Sequence, residues 1–247
     1  MSFSYQLYSS RNFTPWDNVF KSLSDLGYTQ VEGFGGILED AQALRAQLDA
    51  NGLSMPSSHM GLDMLEGDFD KAIATANTLG IQQIYCPYLM PDLRPTDAAG
   101  WAAFAERLEV IAKKVKAAGL SFGWHNHDFE FVACEDGTVP MKAILDGAPS
   151  VEWEADIAWI VRGGADPMAW IAAHGNRITA AHVKDLAPEG EKADEDGWAD
   201  VGDGIMDWAG LITALRANDV TLLVAEHDNP SDADRFAARS LAALKTY

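Results

Sequence analysis

The feature that most restricts the fold of this chain is a repeated unit, a short β-like run followed by a longer helical one, that continues from one end to the other. The β-like runs fall at Ser4–Tyr8, Gln30–Glu32, Leu53–His59, Gln83–Cys86, Ser121–His125, Val151–Asp156, Thr179–Lys184 and Leu222–His227. Helical periodicity occupies Pro15–Leu26, Glu39–Asn51, Asp68–Leu79, Trp101–Ala118, Pro167–His174, Asp207–Asn218 and Arg235–Tyr247, with a weaker segment at Met141–Leu145. Gly52, Gly80 and Gly119 each stand just past a helical run and just before a strand, where a left-handed residue stops a helix. Eight such strands in 247 residues predict an α/β fold, a (β/α)8 TIM barrel read as one domain over 1–247. An open doubly wound sheet would want a glycine-rich phosphate turn after its first strand, and Tyr8-Ser9-Ser10-Arg11-Asn12 supplies none.

Charge narrows the partners. Lys and Arg number 18 against 37 Asp and Glu, a formal net charge of −19 spread along the chain. Such a surface repels phosphate backbones and anionic lipid, so the expected partner is a small molecule, with no nucleic acid and no membrane. Cys86 and Cys134 form no CxxC pair and no disulfide framework, which suits a reducing compartment. The opening segment Met1 to Tyr8 lacks a basic n-region, and no apolar run reaches about 18 residues. The expected location is the cytoplasm; the oligomeric state is left open, a homo-oligomer included.

In a barrel of this kind, side chains at the C-terminal ends of the strands converge on one mouth. Five of the six histidines, His59, His125, His127, His182 and His227, fall at such ends, where chance placement would put about one. His174 closes a helix instead. Carboxylates follow the same bias: Glu32, Asp156, Asp185 and Glu226 end or follow strands two, six, seven and eight behind apolar residues. Acids gathered there would be partly desolvated and costly without compensation. A divalent cation would offset the repulsion among Asp156, Glu226 and a third acid, with a histidine completing the set; oxygen-rich donors with one nitrogen suit Mn, Mg, Co or Fe better than a thiolate zinc site. The alternative is a ring of ion pairs with Arg162 or Lys184.

The blocks Trp124-His125-Asn126-His127-Asp128-Phe129-Glu130-Phe131, Trp153-Glu154-Ala155-Asp156-Ile157-Ala158-Trp159, Gly163-Gly164-Ala165-Asp166-Pro167, His182-Val183-Lys184-Asp185, Gly202-Asp203-Gly204 and Ala225-Glu226-His227-Asp228 resemble the xylose isomerase-like TIM barrel superfamily of sugar phosphate isomerases and epimerases. The likeness runs nearly end to end. It implies one divalent ion, drawn from Mn, Mg, Co, Fe and Zn, held by two Glu, one Asp and one His from four strand ends, and Asp156, His182 and Glu226 match three of these positions. At the fourth, relatives that isomerise keto sugars carry Glu-Asn-His where this chain has His125-Asn126-His127. Either His125 is a ligand or Glu130 reaches back, and Glu130 is favoured because it restores the family's acid.

By the same resemblance Glu130 and Glu226 are the acids able to move a proton, and His125 and His127 are imidazoles free for that task. Glu32, His59 and Lys184 are expected to meet the substrate. The implied function is metal-dependent isomerisation or epimerisation of a keto sugar or polyol-derived carbonyl compound through an enediolate. Elimination from a keto sugar, 3-keto-glycoside or inosose is the alternative. Kindred apurinic endonucleases are set aside by the acidic charge. No cluster of Arg, Lys and Gly follows the last two strands, which favours an unphosphorylated carbohydrate. The polar stretch Pro188–Trp198 is either a solvated acidic loop or a lid.

Overall fold

A computed structural model describes residues 3–247; Met1 and Ser2, the first two residues of the opening segment that lacks a basic n-region, lie outside it. The strands are β1 (Phe3–Gln6), β2 (Gln30–Gly33), β3 (Ser54–His59), β4 (Gln83–Cys86), β5 (Ser121–His125), β6 (Glu152–Asp156), β7 (Ile178–Val183), β8 (Asp185–Leu186), β9 (Trp198–Ala199) and β10 (Leu222–Ala225). Eight of them close into a barrel in the order β1-β10-β7-β6-β5-β4-β3-β2, every neighbouring pair parallel. Because β1 pairs with β2 on one side and β10 on the other, no edge is left open, and the open-sheet alternative falls.

The helices are α1 (Trp16–Leu26), α2 (Ala41–Ala50), α3 (Leu62–Gly67), α4 (Phe69–Leu79), α5 (Ala98–Ala117), α6 (Pro140–Gly147), α7 (Ile157–Arg162), α8 (Pro167–His174), α9 (Trp208–Arg216) and α10 (Ala233–Leu244). Part of the acidic composition is spent at their N-termini: Asp40, Asp97, Asp156, Asp166, Asp207 and Asp232 each accept a hydrogen bond from a backbone N–H of the first turn. At the other end Gly80, at φ 78°, caps α4 in the left-handed region that a side chain would strain.

Alternation along the strands decides what reaches the barrel interior. Trp124 of β5 packs edge-on against Phe104 of α5, and Trp153 of β6 against Trp170 of α8. Their neighbours His125, Glu154 and Asp156 therefore face inward. The register then sets His125 opposite Glu154, Asp156 opposite His182, Gln6 opposite Glu32 and Glu32 opposite Ser57.

Two local readings are corrected, and two short helices are added to those read from the chain. The first strand stops at Gln6 rather than Tyr8, because the chain turns through a 3-10 segment, Leu7–Ser10, in which Tyr8 N donates to the Gln6 side chain at 3.0 Å. The short helices α3 and α7 carry too few turns for their periodicity to be read. The acidic stretch after β7 is exposed over Pro188–Asp194, as a solvated loop would be, but it is not a free lid, since β8 and β9 form an antiparallel hairpin whose connecting segment is tied to the last helix. Ser231 N, Ser231 Oγ and Arg235 Nη2 donate to the buried Glu195 at 2.7, 2.7 and 2.6 Å, and Arg162 donates to the Asp196 carbonyl. No helix among the described residues is long and apolar enough to cross a membrane.

Candidate active site

The segment from His125 to Glu130, at and beyond the end of β5, resolves into four separate tasks. His125 points inward from the strand. Asn126 staples β5 to β6: its Oδ1 accepts from Trp153 Nε1 (2.8 Å) and Asp156 N (3.1 Å), and its Nδ2 donates to the Asp156 carbonyl (3.0 Å). His127 stands on the wall of the mouth with Nδ1 buried and without a hydrogen-bond partner. Glu130 is a brace, accepting from Trp124 Nε1 at 2.9 Å and from His127 N at 2.8 Å. With both oxygens committed on the outer side of β5, Glu130 belongs to neither of the donor clusters described next, so the expectation that it completes the ligand set is corrected.

Two such clusters overlap. In the outer one, donor atoms of His125, Asp156, His182 and Glu226 all lie within 4.8 Å of one another. His182 Nδ1 sits 2.8 Å from Glu226 Oε2 and 3.9 Å from Asp156 Oδ2. In the inner one the same limit holds for His59, His125, Glu154 and His182. There His59 Nε2, His125 Nδ1 and His182 Nε2 lie 2.6, 3.1 and 3.4 Å from Glu154 Oε2. Glu32 lies beside the inner cluster: its Oε1 is 2.6 Å from His182 Nε2 and accepts from Gln6 Nε2 at 2.8 Å, and its Oε2 accepts from Ser57 Oγ.

Five carboxylates, Glu32, Glu154, Asp156, Glu226 and Asp228, thus crowd the mouth. Among the described residues the one lysine or arginine ion-paired to any of them is the fully buried Lys184, whose Nζ lies 3.1, 2.8 and 2.8 Å from Asp156, Glu226 and Asp228. Burial pushes the Asp156 carboxyl up to about 6 in spite of Lys184. Burial opposes ionisation of Glu226 as well, yet Lys184 and His182 hold it well below the usual carboxylate range. His125 is driven down to about 3 by burial and by the charge of His182. His182 itself, against its burial, is held well above the ordinary imidazole value by Glu154, Glu226 and Glu32.

The donors fit a divalent cation. Glu154 Oε1 and Asp156 Oδ2 are buried oxygens that make no hydrogen bond, set among acids that outnumber their one ammonium partner. Exchanging Glu130 for His125 makes the outer donors two nitrogens and two carboxylates, less oxygen-rich than expected. The ion-pair alternative is realised in part, through Lys184 and not Arg162, which stacks 3.2 Å over Trp198 instead.

Other expected residues disperse. His59 lines the cavity. Glu32 is sealed beneath it and lines nothing. Asp185 turns away to accept from Leu186 N, Gly202 N and Met206 N, fixing the loop after β7. His227 faces outward against Phe236, so four histidines, not five, meet at the mouth. Glu154 and Asp228 carry the site without having been singled out; Glu154 was signalled by its place two residues before Asp156, on the same face of the strand.

The clusters open into a cavity of about 460 Å³. Tyr8, Phe34 and Tyr88 supply aromatic rim, His59, His127, Glu226 and Asp228 the polar wall, and no lysine or arginine lines it among the described residues.

Comparison with known proteins agrees with this architecture. The family described as xylose isomerase-like TIM barrel matches residues 20–247. A curated relative, the rhizopine catabolism protein MocC of Rhizobium meliloti, is 20% identical over 215 residues, spanning 78% of this chain and 65% of MocC. The chain thus covers less than two thirds of that protein's length. A sugar phosphate isomerase/epimerase from Parabacteroides distasonis superposes with a TM-score of 0.82 at 21% identity, covering 99% of this chain and 93% of the other. The probable 3-DHS dehydratase AsbF of Bacillus anthracis superposes with a TM-score of 0.77 at 15% identity, covering 99% of each chain.

Proposed function

Since the chain belongs to the xylose isomerase-like TIM barrel family, we propose that it is a metal-dependent isomerase or epimerase of an unphosphorylated keto sugar or polyol-derived carbonyl compound, acting through an enediolate. The observation that carries the reading is the meeting of His125, Asp156, His182 and Glu226, from four strands, at the floor of a cavity lined by His59, His127 and Glu226. A divalent cation held by these four would supply Lewis-acid stabilisation of the charge that develops on the substrate's carbonyl oxygen.

The chain's own side chains account for the rest. Glu226, fixed by Lys184 and His182, and His127, with a free Nδ1 on the wall, are the groups placed to take a proton from the carbon next to the carbonyl and to return it. His59 donates to substrate oxygens from the third strand. Lys184 fixes Glu226 and Asp228 rather than meeting substrate, because its three partners bury it completely. The absence of cationic side chains among the described lining residues supports a neutral carbohydrate.

Elimination is the second reading. It is favoured by the unequal pair, one carboxylate and one imidazole, which lets one group take the proton and the other protonate a departing hydroxyl; a dehydratase stands among the structural neighbours. The test is deuterium exchange in D2O with a panel of keto sugars and inososes. Exchange next to the carbonyl is expected with protein loaded with Mn2+ or Co2+, and its loss after chelation and in Glu226→Gln. Exchange that survives chelation would contradict the proposal, and the product separates isomerisation, epimerisation and elimination.

A further inference from the structure

We infer that His59, His125, Glu154 and His182 form a cation position of their own, beneath the outer one, that takes a nitrogen-preferring transition ion such as Zn2+ and excludes occupation of the outer position. Glu154 precedes Asp156 by two residues on β6, which sets it deeper in the barrel by roughly 6–7 Å of strand. Three imidazole nitrogens approach its Oε2 at 2.6, 3.1 and 3.4 Å. Neighbouring donors around a tetrahedral ion with bonds of about 2.0–2.1 Å are themselves separated by roughly 3.3 Å; the three nitrogen-to-oxygen distances bracket that value, and all four donor atoms lie within 4.8 Å of one another.

Hydrogen bonding alone explains the arrangement poorly. One carboxylate oxygen faces three ring nitrogens, while the other, equally buried, has no partner. Glu32 adds a second carboxyl behind it, 3.4 Å from His59 Nε2 and 2.6 Å from His182 Nε2.

The two positions differ in chemistry. Three imidazoles and one carboxylate suit Zn2+, whereas the outer pair of carboxylates and pair of imidazoles is the better match for Mn2+ or Mg2+. They also compete for His125 and His182, the latter turning Nε2 toward Glu154 and Nδ1 toward Glu226. A neutral imidazole has one lone pair and serves one ion at a time. The identity of the metal therefore selects the position. This inference uses the outer position of the proposed function for contrast, and the two can fail separately.

The test titrates Zn2+ by calorimetry and Mn2+ by electron paramagnetic resonance into metal-free full-length protein, wild type and variant, with folding checked by circular dichroism. His59→Asn and Glu154→Gln are expected to weaken Zn2+ binding by at least about tenfold while leaving Mn2+ within roughly threefold, and Glu226→Gln to do the reverse. Should Glu154→Gln fail to fold, His59→Asn, at the edge of the cavity, decides alone. Zn2+ binding that is indifferent to His59 would overturn the inference, as would equal losses of both ions in His59→Asn and Glu154→Gln, which would make the cluster a brace for the outer ligands. Zn2+ loss in His59→Asn together with Mn2+ binding unaffected by Glu226→Gln would uphold the inner position and sink the outer one.

Discussion

Two charge clusters lie in this molecule, one buried in the barrel mouth and one only partly buried at its flank, and they are built to opposite rules. Around the anchored hairpin Glu195, Asp200 and Asp203 meet Lys192, Arg235 and Arg239, three acids with three bases, and Arg235 alone bonds both Glu195 and Asp200. At the mouth five carboxylates meet three bases: Asp156, Glu226 and Asp228 share Lys184, while Glu32 and Glu154 lie against His59 and His182, which against their burial are held above the ordinary imidazole value, and Glu154 and Asp156 each keep a buried oxygen without a hydrogen bond. A balanced cluster holds the chain in place by itself. An unbalanced one would be completed by positive charge from outside, and that difference is why the mouth is the place proposed for an ion and a substrate.

The largest effect expected from breaking the contrast is on turnover. Glu226→Gln should lower kcat/KM by roughly 10²–10⁴-fold with the barrel still folded, because it removes both a proton-transfer group and a ligand. Chelation should abolish activity and Mn2+ or Co2+ restore it; steady-state assays beside circular dichroism check both.

On the balanced side the loss should be in stability. Glu195→Gln is expected to cost about 1.5–3 kcal/mol in denaturant unfolding near neutral pH, since three charge-assisted or backbone bonds lose their carboxylate. Burial works against ionised Glu195, but Ser231 and Arg235 hold it well below the ordinary value of 4.5. Its contribution is therefore complete above that value and fades as the pH falls toward the folded-state pKa. The gap between wild type and variant should narrow in acid; a gap that widens there would reverse the assignment.

A smaller effect sharpens the boundary between the regions. Glu130→Ala should destabilise by about 1–3 kcal/mol, because it strands Trp124 Nε1 and His127 N, while the bound metal is retained. Loss of metal with full stability would return Glu130 to the ligand set. The smallest expected effect is none at all: duplex DNA should show no mobility shift at physiological salt, given the net charge of −19.

Much of this was legible in the chain because the repeat and the period-two alternation act locally. Gly52, Gly80 and Gly119 all adopt positive φ where a helix stop was read. Asp156, His182 and Glu226 meet as their strand-end positions required. Glu130 misled because it lies five residues beyond His125, past the end of β5, where a 3-10 turn folds it back onto Trp124; spacing along the chain carries no trace of that return. His227 failed for a related reason. The strand ends at Ala225, so alternation no longer governs the residues that follow, and Asp228 reaches Lys184 while His227 packs against Phe236.

The central claim, that the mouth is short of positive charge and the hairpin cluster is not, is tested most directly by thermal unfolding of metal-free and Mn2+-loaded protein at pH 7 in wild type, Asp156→Asn and Glu195→Gln. Removing one of five crowded carboxyl groups, with an asparagine that can still cap α7, should leave metal-free Asp156→Asn at least as stable as wild type and should abolish the rise in Tm that Mn2+ gives the wild type. Glu195→Gln should melt lower and keep that rise. A metal-free Asp156→Asn that melts as low as Glu195→Gln, or a wild type indifferent to Mn2+, would contradict the account.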